Sequence, residues 1–265
     1  MGAVSVEHVG LSFGARSGHA GVVALKDLSL EIPEKQFAVI VGPSGCGKSS
    51  LLDLIAGLKE ATSGRCLVNG REVFAPGADR GMVFQNYSLF PWLTVQKNVE
   101  FGLSLKGMPE AERMGRTRHY ISSVGLAGFE NAYPNQLSGG MKQRVAIARS
   151  LANDPEVLLM DEPFGALDSQ TRAVMQQLLL GIWEKEHKTV LFVTHDIDEA
   201  LFLGDTVYVM SARPGRFIDI INVGLERPRS YDMVTSEPFI ALKRRIQGSL
   251  HAEVKQAMSL ANEAH

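Results

Sequence analysis

The chemistry of this chain concentrates in eight residues, Gly42-Pro43-Ser44-Gly45-Cys46-Gly47-Lys48-Ser49, which match the phosphate-binding pattern G-x4-G-K-S at every fixed position. The glycines are needed for a steric reason. Backbone N–H groups must converge on phosphate oxygens, and side chains would block that approach. Lys48 is placed to reach the β- and γ-phosphates of a nucleoside triphosphate, and Ser49 to hold Mg²⁺ through its hydroxyl, with Ser50 next in the same helical turn. Cys46 reads as a small residue in a tolerant site, where a thiol reagent would block ATP. Asp161 and Glu162 close a second apolar run; Asp161 suits Mg²⁺, through water, and Glu162 suits acceptance of a proton from an attacking water. Gln85 and His195 each end a further strand-like segment, which places the Gln85 amide toward the metal or its water and the His195 ring toward the γ-phosphate. Ser138-Gly139-Gly140 opens a helix with a hydroxyl and exposed N–H groups, a second anion-binding start in a chain that already owns one. The simplest occupant is a nucleotide held by a neighbouring subunit, which implies head-to-tail sites under two-fold symmetry.

The elements that must carry these residues follow from periodicity. Phe37 to Val41 is a continuous apolar run suited to a strand covered on both faces, feeding the glycine loop and a helix from Lys48 to about Leu58. The residues before it alternate and turn around a glycine-rich stretch from Gly14 to Gly21, which predicts an antiparallel sheet. A strand pair is expected over 64–73, a strand over 80–84 ending at Gln85, and strands near 157–161, 189–193, 206–210 and 216–221. Helices are expected over about 95–105, 109–124, 139–153, 170–186, 197–203 and 237–260, the last with Lys243, Arg244 and Arg245 on its wetter side. Residues 86–154 therefore read as a helical subdomain inserted into an α/β core of 1–85 and 155–222, with a C-terminal helical extension over 223–265. Ser88-Leu89-Phe90-Pro91-Trp92 reads as an exposed turn with three bulky apolar residues; the bland alternative packs Leu89, Phe90 and Trp92 inside the helical lobe.

Composition narrows the class. The chain is 45% hydrophobic and 21% charged with a formal net charge of -2, a balance that gives no reason to expect nucleic acid as a main partner. Two cysteines, Cys46 and Cys66, make no disulfide framework. No basic segment and apolar core open the chain as a secretory signal would, and no apolar run approaches 18 residues, so membrane attachment is expected through a partner.

Five separated motifs in this order resemble the ATP-binding subunit of an ABC transporter, over about residues 4 to 220. The resemblance implies a P-loop ABC ATPase fold with an N-terminal antiparallel sheet and an inserted helical subdomain. It implies ATP and Mg²⁺ as ligands, with Phe13 stacking on adenine, Gly42 to Ser50, Gln85, Asp161, Glu162 and His195 forming one site, and Ser138, Gly139 and Gly140 completing the opposite monomer's. Gly165-Ala166-Leu167-Asp168 resembles the loop through which two such sites sense each other. Met141 stands where Gln is usual, one place beyond the γ-phosphate contacts, and little effect on hydrolysis is expected. Ala132 to Gln136 looks like importers rather than exporters. Ser211 to Arg216 and Arg227-Pro228-Arg229 resemble the nitrate, sulfonate and taurine importer group. What this implies is a second ATPase subunit, two transmembrane permease subunits, an indirect solute-binding protein outside, and a location on the cytoplasmic face of the bacterial inner membrane. An ATPase for an exporter or lipid-handling complex is the alternative, and a soluble ABC ATPase without a transport role a more distant one.

Overall fold

The computed structural model describes residues 3–14 and 21–263, so most of the glycine-rich stretch expected between Gly14 and Gly21 lies outside the described residues. In chain order the strands are β1 (Val4–Phe13), β2 (Val22–Ile32), β3 (Phe37–Val41), β4 (Ser63–Val68), β5 (Arg71–Glu72), β6 (Arg80–Val83), β7 (Val157–Asp161), β8 (Thr189–Thr194), β9 (Thr206–Met210) and β10 (Phe217–Asn222). The helices are α1 (Lys48–Ala56), α2 (Val95–Leu105), α3 (Glu110–Ser123), α4 (Gly139–Ala152), α5 (Ser169–Glu186), α6 (Ile197–Leu203) and α7 (Glu237–Glu263). They fall into two compact units, Met1–Gly77 with Thr189–His265, and Ala78–Lys188.

In the first unit β1 pairs antiparallel with β2 and β4, and β5 adds to β4. Alternation makes this sheet: Val4, Val6, Val9 and Leu11 of β1 are buried, as are Leu25, Leu28, Leu30 and Ile32 of β2. The register shifts between Val6 and Val9, where His8 and Asp27 both take positive φ and their side chains meet at 2.8 Å. All five residues of β3 are buried because β8 and β9 flank it in parallel register, and β10 closes on β9 antiparallel. Helix α1 stops at Ala56, two residues before the expected Leu58, because Gly57 takes a left-handed conformation and caps it. Asp196 caps α6 by accepting from the Asp198 and Glu199 N–H groups. The buried Arg229 then donates to the Leu201, Phe202 and Gly204 carbonyls at the other end of α6, supplying cationic donors where the helix leaves acceptors unpaired. Helix α7 buries Phe239 and Ile246. Lys243, expected on the wet side, is half-buried and paired with Asp198, whereas Arg244 and Arg245 are exposed.

In the second unit β6 and β7 pair in parallel, Arg80 opposite Val157 and Val83 opposite Met160. The strand expected to run to Gln85 ends at Val83, and Phe84 and Gln85 leave it as a loop. Three of this unit's helices begin at a side-chain cap: Thr94 for α2, Ser138 for α4 and Asp168 for α5. These are the residues whose type a helix start requires, and they fix where the following segments point. Among the described residues no helix is long and apolar enough to cross a membrane.

Candidate nucleotide site

In the first unit, β3 ends at Val41, opposite Thr194 of β8. The glycine loop and His195 therefore leave neighbouring parallel strands side by side, at the carboxyl ends where an open sheet binds ligands. The loop is a cradle only glycines can build. Gly45 and Gly47 have φ of 75° and 111°, and a Cβ on Gly47 would stand 2.5 Å from the Leu25 Cδ2. Lys48, 4% exposed, turns its ammonium back to the Gly42 and Pro43 carbonyls at 2.9 and 3.1 Å. The cation is thereby held over the loop that a phosphate would enter. Ser49 and His195 are exposed, Ser50 is half-buried, and Cys46 is buried beneath the loop with its sulfur 4.0 Å from the Lys48 Nζ. Pro43 and Ser44 form the exposed rim. Phe13 ends β1 with its ring 45% exposed and Lys59 Nζ 5.6 Å from the ring centroid. A flat π face in that setting can stack a base.

In the second unit, β7 delivers Asp161 and Glu162, both half-buried, at its carboxyl end. Glu162 takes φ of 41°, a left-handed conformation uncommon for a residue with a side chain, which turns the chain sharply as it leaves β7. The Gly165 N–H closes on the Glu162 carbonyl at 3.1 Å, and the chain turns through Leu167 to Asp168. Backbone and hydroxyl hydrogen bonds from Thr171 hold the Asp168 carboxyl below the usual carboxylate range. Ser138 and Gly139 are exposed at the start of α4 and Gly140 is buried. The Ser138 hydroxyl accepts from the Met141 N–H at 3.3 Å, so residue 141 contributes its backbone here whatever its side chain. A Cβ on Gly139 would meet the Tyr87 hydroxyl at 3.1 Å, which brings the segment after Gln85 next to this helix start.

That segment is built by two residues that sequence reasoning passed over. Asn98, fully buried in α2, accepts from the Phe90 N–H and donates to the Phe90, Leu93 and Thr94 carbonyls. Arg149 of α4 donates to the Tyr87 and Ser88 carbonyls and lies 5.7 Å from the Phe90 ring; burial pulls its pKa down from the usual arginine value. Nothing local in sequence marks either, since their partners lie in a loop of irregular backbone. Between the two expectations for the bulky residues the structure divides: Trp92 is 70% exposed, while Leu89 and Phe90 are half-buried, Phe90 stacking at 4.6 Å on Phe101. Gln85 itself is exposed. An open cavity of about 370 Å³ beside this turn is lined by Met82, Gly102, Leu105, Lys106 and Arg149.

Taken singly, the Ser49 hydroxyl in the first unit and the Asp161 carboxylate and Gln85 amide in the second are oxygen ligands of the kind Mg²⁺ takes beside phosphate. The sequence of residues 25–165 matches the family described as ABC transporter. The chain belongs to that family. A nitrate import ATP-binding protein of Synechocystis is 50% identical over 248 residues, 91% of this chain and 93% of the relative. A taurine import ATP-binding protein of Rhizobium johnstonii is 48% identical over 254 residues, 94% of this chain and 97% of the relative. Among solved structures, a dimeric ATP-binding cassette in a post-hydrolysis state with ADP and Pi superposes with a TM-score of 0.73 at 36% identity, covering 84% of this chain and all of that one. This ABC chain is an ATP-binding ATPase of the transport-coupled kind, with the mixed α/β fold of ABC cassettes.

Proposed function

We propose that this ABC ATPase drives import of a small anionic solute, of nitrate, sulfonate or taurine type, by closing as a dimer on two molecules of MgATP. The observation that carries the reading is the pairing, within one chain, of a phosphate cradle with Lys48 buried over it and a separate, exposed helix start at Ser138 and Gly139. The phosphate loop already serves the phosphates of one nucleotide, so a second anion-binding helix start in the same chain is accounted for by a nucleotide that a partner copy holds. The nitrate and taurine import names of relatives at 50% and 48% identity support import and the anionic class.

In the closed dimer the backbone N–H groups of the loop and the Lys48 ammonium hold the β- and γ-phosphates over Gly42 to Ser49, with Ser50, the rim residues Pro43 and Ser44 and the buried Cys46 shaping the loop. Phe13 stacks on adenine. Glu162 accepts a proton from the attacking water as its oxygen bonds to the γ-phosphorus and the bond to the bridging oxygen breaks. Lys48 stabilises the charge that collects on the leaving diphosphate, and His195 donates to the γ-phosphate. Gln85 orients the water and links the γ-phosphate to the turn at Trp92. Ser138, Gly139 and Gly140 of the facing copy complete the phosphate shell. Mg²⁺, when bound, supplies positive charge at the phosphate oxygens, and Ser49, Asp161 and Gln85 would hold it. In each copy of the dimer the exposed turn at Trp92 docks a helix of one of two permease subunits, which keeps this chain on the cytoplasmic face of the bacterial membrane, with a solute-binding protein acting from the other side.

Lys48→Ala tests the cradle: ATP turnover falls by about 10²–10³, the loss expected for removing one preorganised charge-stabilising donor. Turnover within a few-fold of wild type would contradict it. Trp92→Ala tests the coupling surface. The variant keeps ATP binding and loses copurification with the permease, whereas unchanged transport would sink the docking role.

A further inference from the structure

The loop carbonyls that face away from a bound phosphate are themselves held, and one of the holders comes from a part of the chain with no role in the scheme above. Lys48 occupies the Gly42 and Pro43 carbonyls. The Gly45 carbonyl accepts from the Arg213 guanidinium at 3.1 Å, across 168 positions of sequence. Arg213 sits on the turn between β9 and β10, and that turn is rigid. Ser211 and Arg216 exchange hydrogen bonds, the Ser211 N–H to the Arg216 carbonyl at 2.8 Å and the Arg216 N–H to the Ser211 hydroxyl at 3.0 Å. Gly215 pairs with β2, donating to Ala24 and accepting from Lys26 at 2.8 and 3.0 Å. It presses on the phosphate loop so closely that a Cβ there would stand 2.3 Å from the Cys46 carbonyl. The turn and the loop behave as one packed body, because the contact leaves no slack for either to move alone.

The far side of the turn is tied to α7. Arg216 Nη2 donates to both carboxylate oxygens of Glu253, at 3.2 and 3.3 Å, and one and two turns back along α7 Ser249 and Arg245 converge on Asp219 of β10. A continuous set of contacts therefore runs from α7 through Arg216, the turn and Arg213 to the Gly45 carbonyl. A cationic donor on that carbonyl also polarises the peptide it shares with the Cys46 N–H, which donates to the Pro43 carbonyl at 3.4 Å and so holds the turn of the loop.

We infer that Arg213 is a positioning residue for the phosphate loop, and that the turn 211–216 lets the C-terminal helix α7 set how tightly that loop binds nucleotide. The inference rests on the reading of the loop as the nucleotide site. It assigns to α7 a control over affinity rather than over the chemical step, since these residues act on the loop backbone and carry no charge or proton in the proposed reaction.

The test is equilibrium binding of a fluorescent ADP analogue, without metal and with it, to the full chain. Arg213→Ala weakens binding about 3- to 10-fold, the effect of losing one charge-assisted hydrogen bond at a partly wet site, and Arg213→Lys recovers part of it. In steady state the same variant raises the KM for ATP with kcat held within about twofold, as loss of uniform binding requires. Glu253→Gln, remote from the loop, weakens binding in the same direction by a smaller factor, and adds nothing in the Arg213→Ala background, because the two act through one path. Thermal melts of each variant separate this from general unfolding. Binding by Arg213→Ala equal to wild type overturns the inference alone, as does a Glu253→Gln effect of the same size with and without Arg213. Wild type that fails to bind the analogue, or a Lys48→Ala chain that binds it equally well, overturns the nucleotide-site reading and this inference with it.

Discussion

At the scale of residues, the phosphate loop and its surroundings are governed by what a backbone can do. Gly47 stands at φ of 111° against Leu25, so Gly47→Ala strains the backbone and clashes at once. In the proposed site Phe13 is exchangeable in a way Gly47 is not, because the stacking on adenine proposed for it needs only a π face. Phe13→Tyr leaves ATP affinity within about twofold and Phe13→Ala lowers it about tenfold, the range for losing one base–aromatic stack; nucleotide titration checks both. The loop was legible in sequence because its eight residues match a fixed phosphate-binding pattern, whereas the packing of Leu25 that excludes a Cβ at Gly47 was not, since only the fold brings Leu25 there. Glu162 was legible by type and place, but its φ of 41° was not, since strand periodicity says nothing of the residue that leaves the strand. Arg213 escaped a mechanistic reading because its partner Gly45 lies 168 residues away and only the fold brings them together.

Elements obey simpler rules, and most were visible. The apolar runs of β3, β7 and β8 are buried along their length because parallel sheets are covered on both faces. Helix starts at Thr94, Ser138 and Asp168 follow from capping chemistry. The ends were less legible: α1 stops early at Gly57, and β6 stops before Gln85. The turn after Gln85 owes its form to Asn98, whose side chain makes four hydrogen bonds in a fully buried place. Asn98→Ala leaves those backbone groups without partners and costs about 2–3 kcal/mol of stability, read by urea denaturation of the full chain. The anchoring of α7 carries a pH signature. Hydrogen bonding from Arg245 holds the Asp219 carboxyl below the usual aspartate range. Its folded pKa is lower than its unfolded one, so the contact stabilises above the ordinary aspartate value and is lost as pH falls through the lowered one. Asp219→Asn therefore lowers the melting temperature at neutral pH, and the difference from wild type shrinks in acid. An equal difference at both pH values would contradict this account of the contact.

For the whole molecule, the proposed scheme makes this chain one half of an ATP-driven pair. In the proposed scheme the exposed apolar turn at Trp92 is the attachment to the permease. The solute is not written in this chain, because in the proposed scheme it never touches it; what the chain carries is the ATP-driven closure. That closure is tested most directly by light scattering of Glu162→Gln as MgATP is added. The account predicts that the mass doubles, that the dimer holds uncleaved ATP, and that replacing Ser138 as well returns it to a single chain. A Glu162→Gln chain that stays monomeric while saturated with ATP would contradict the shared site.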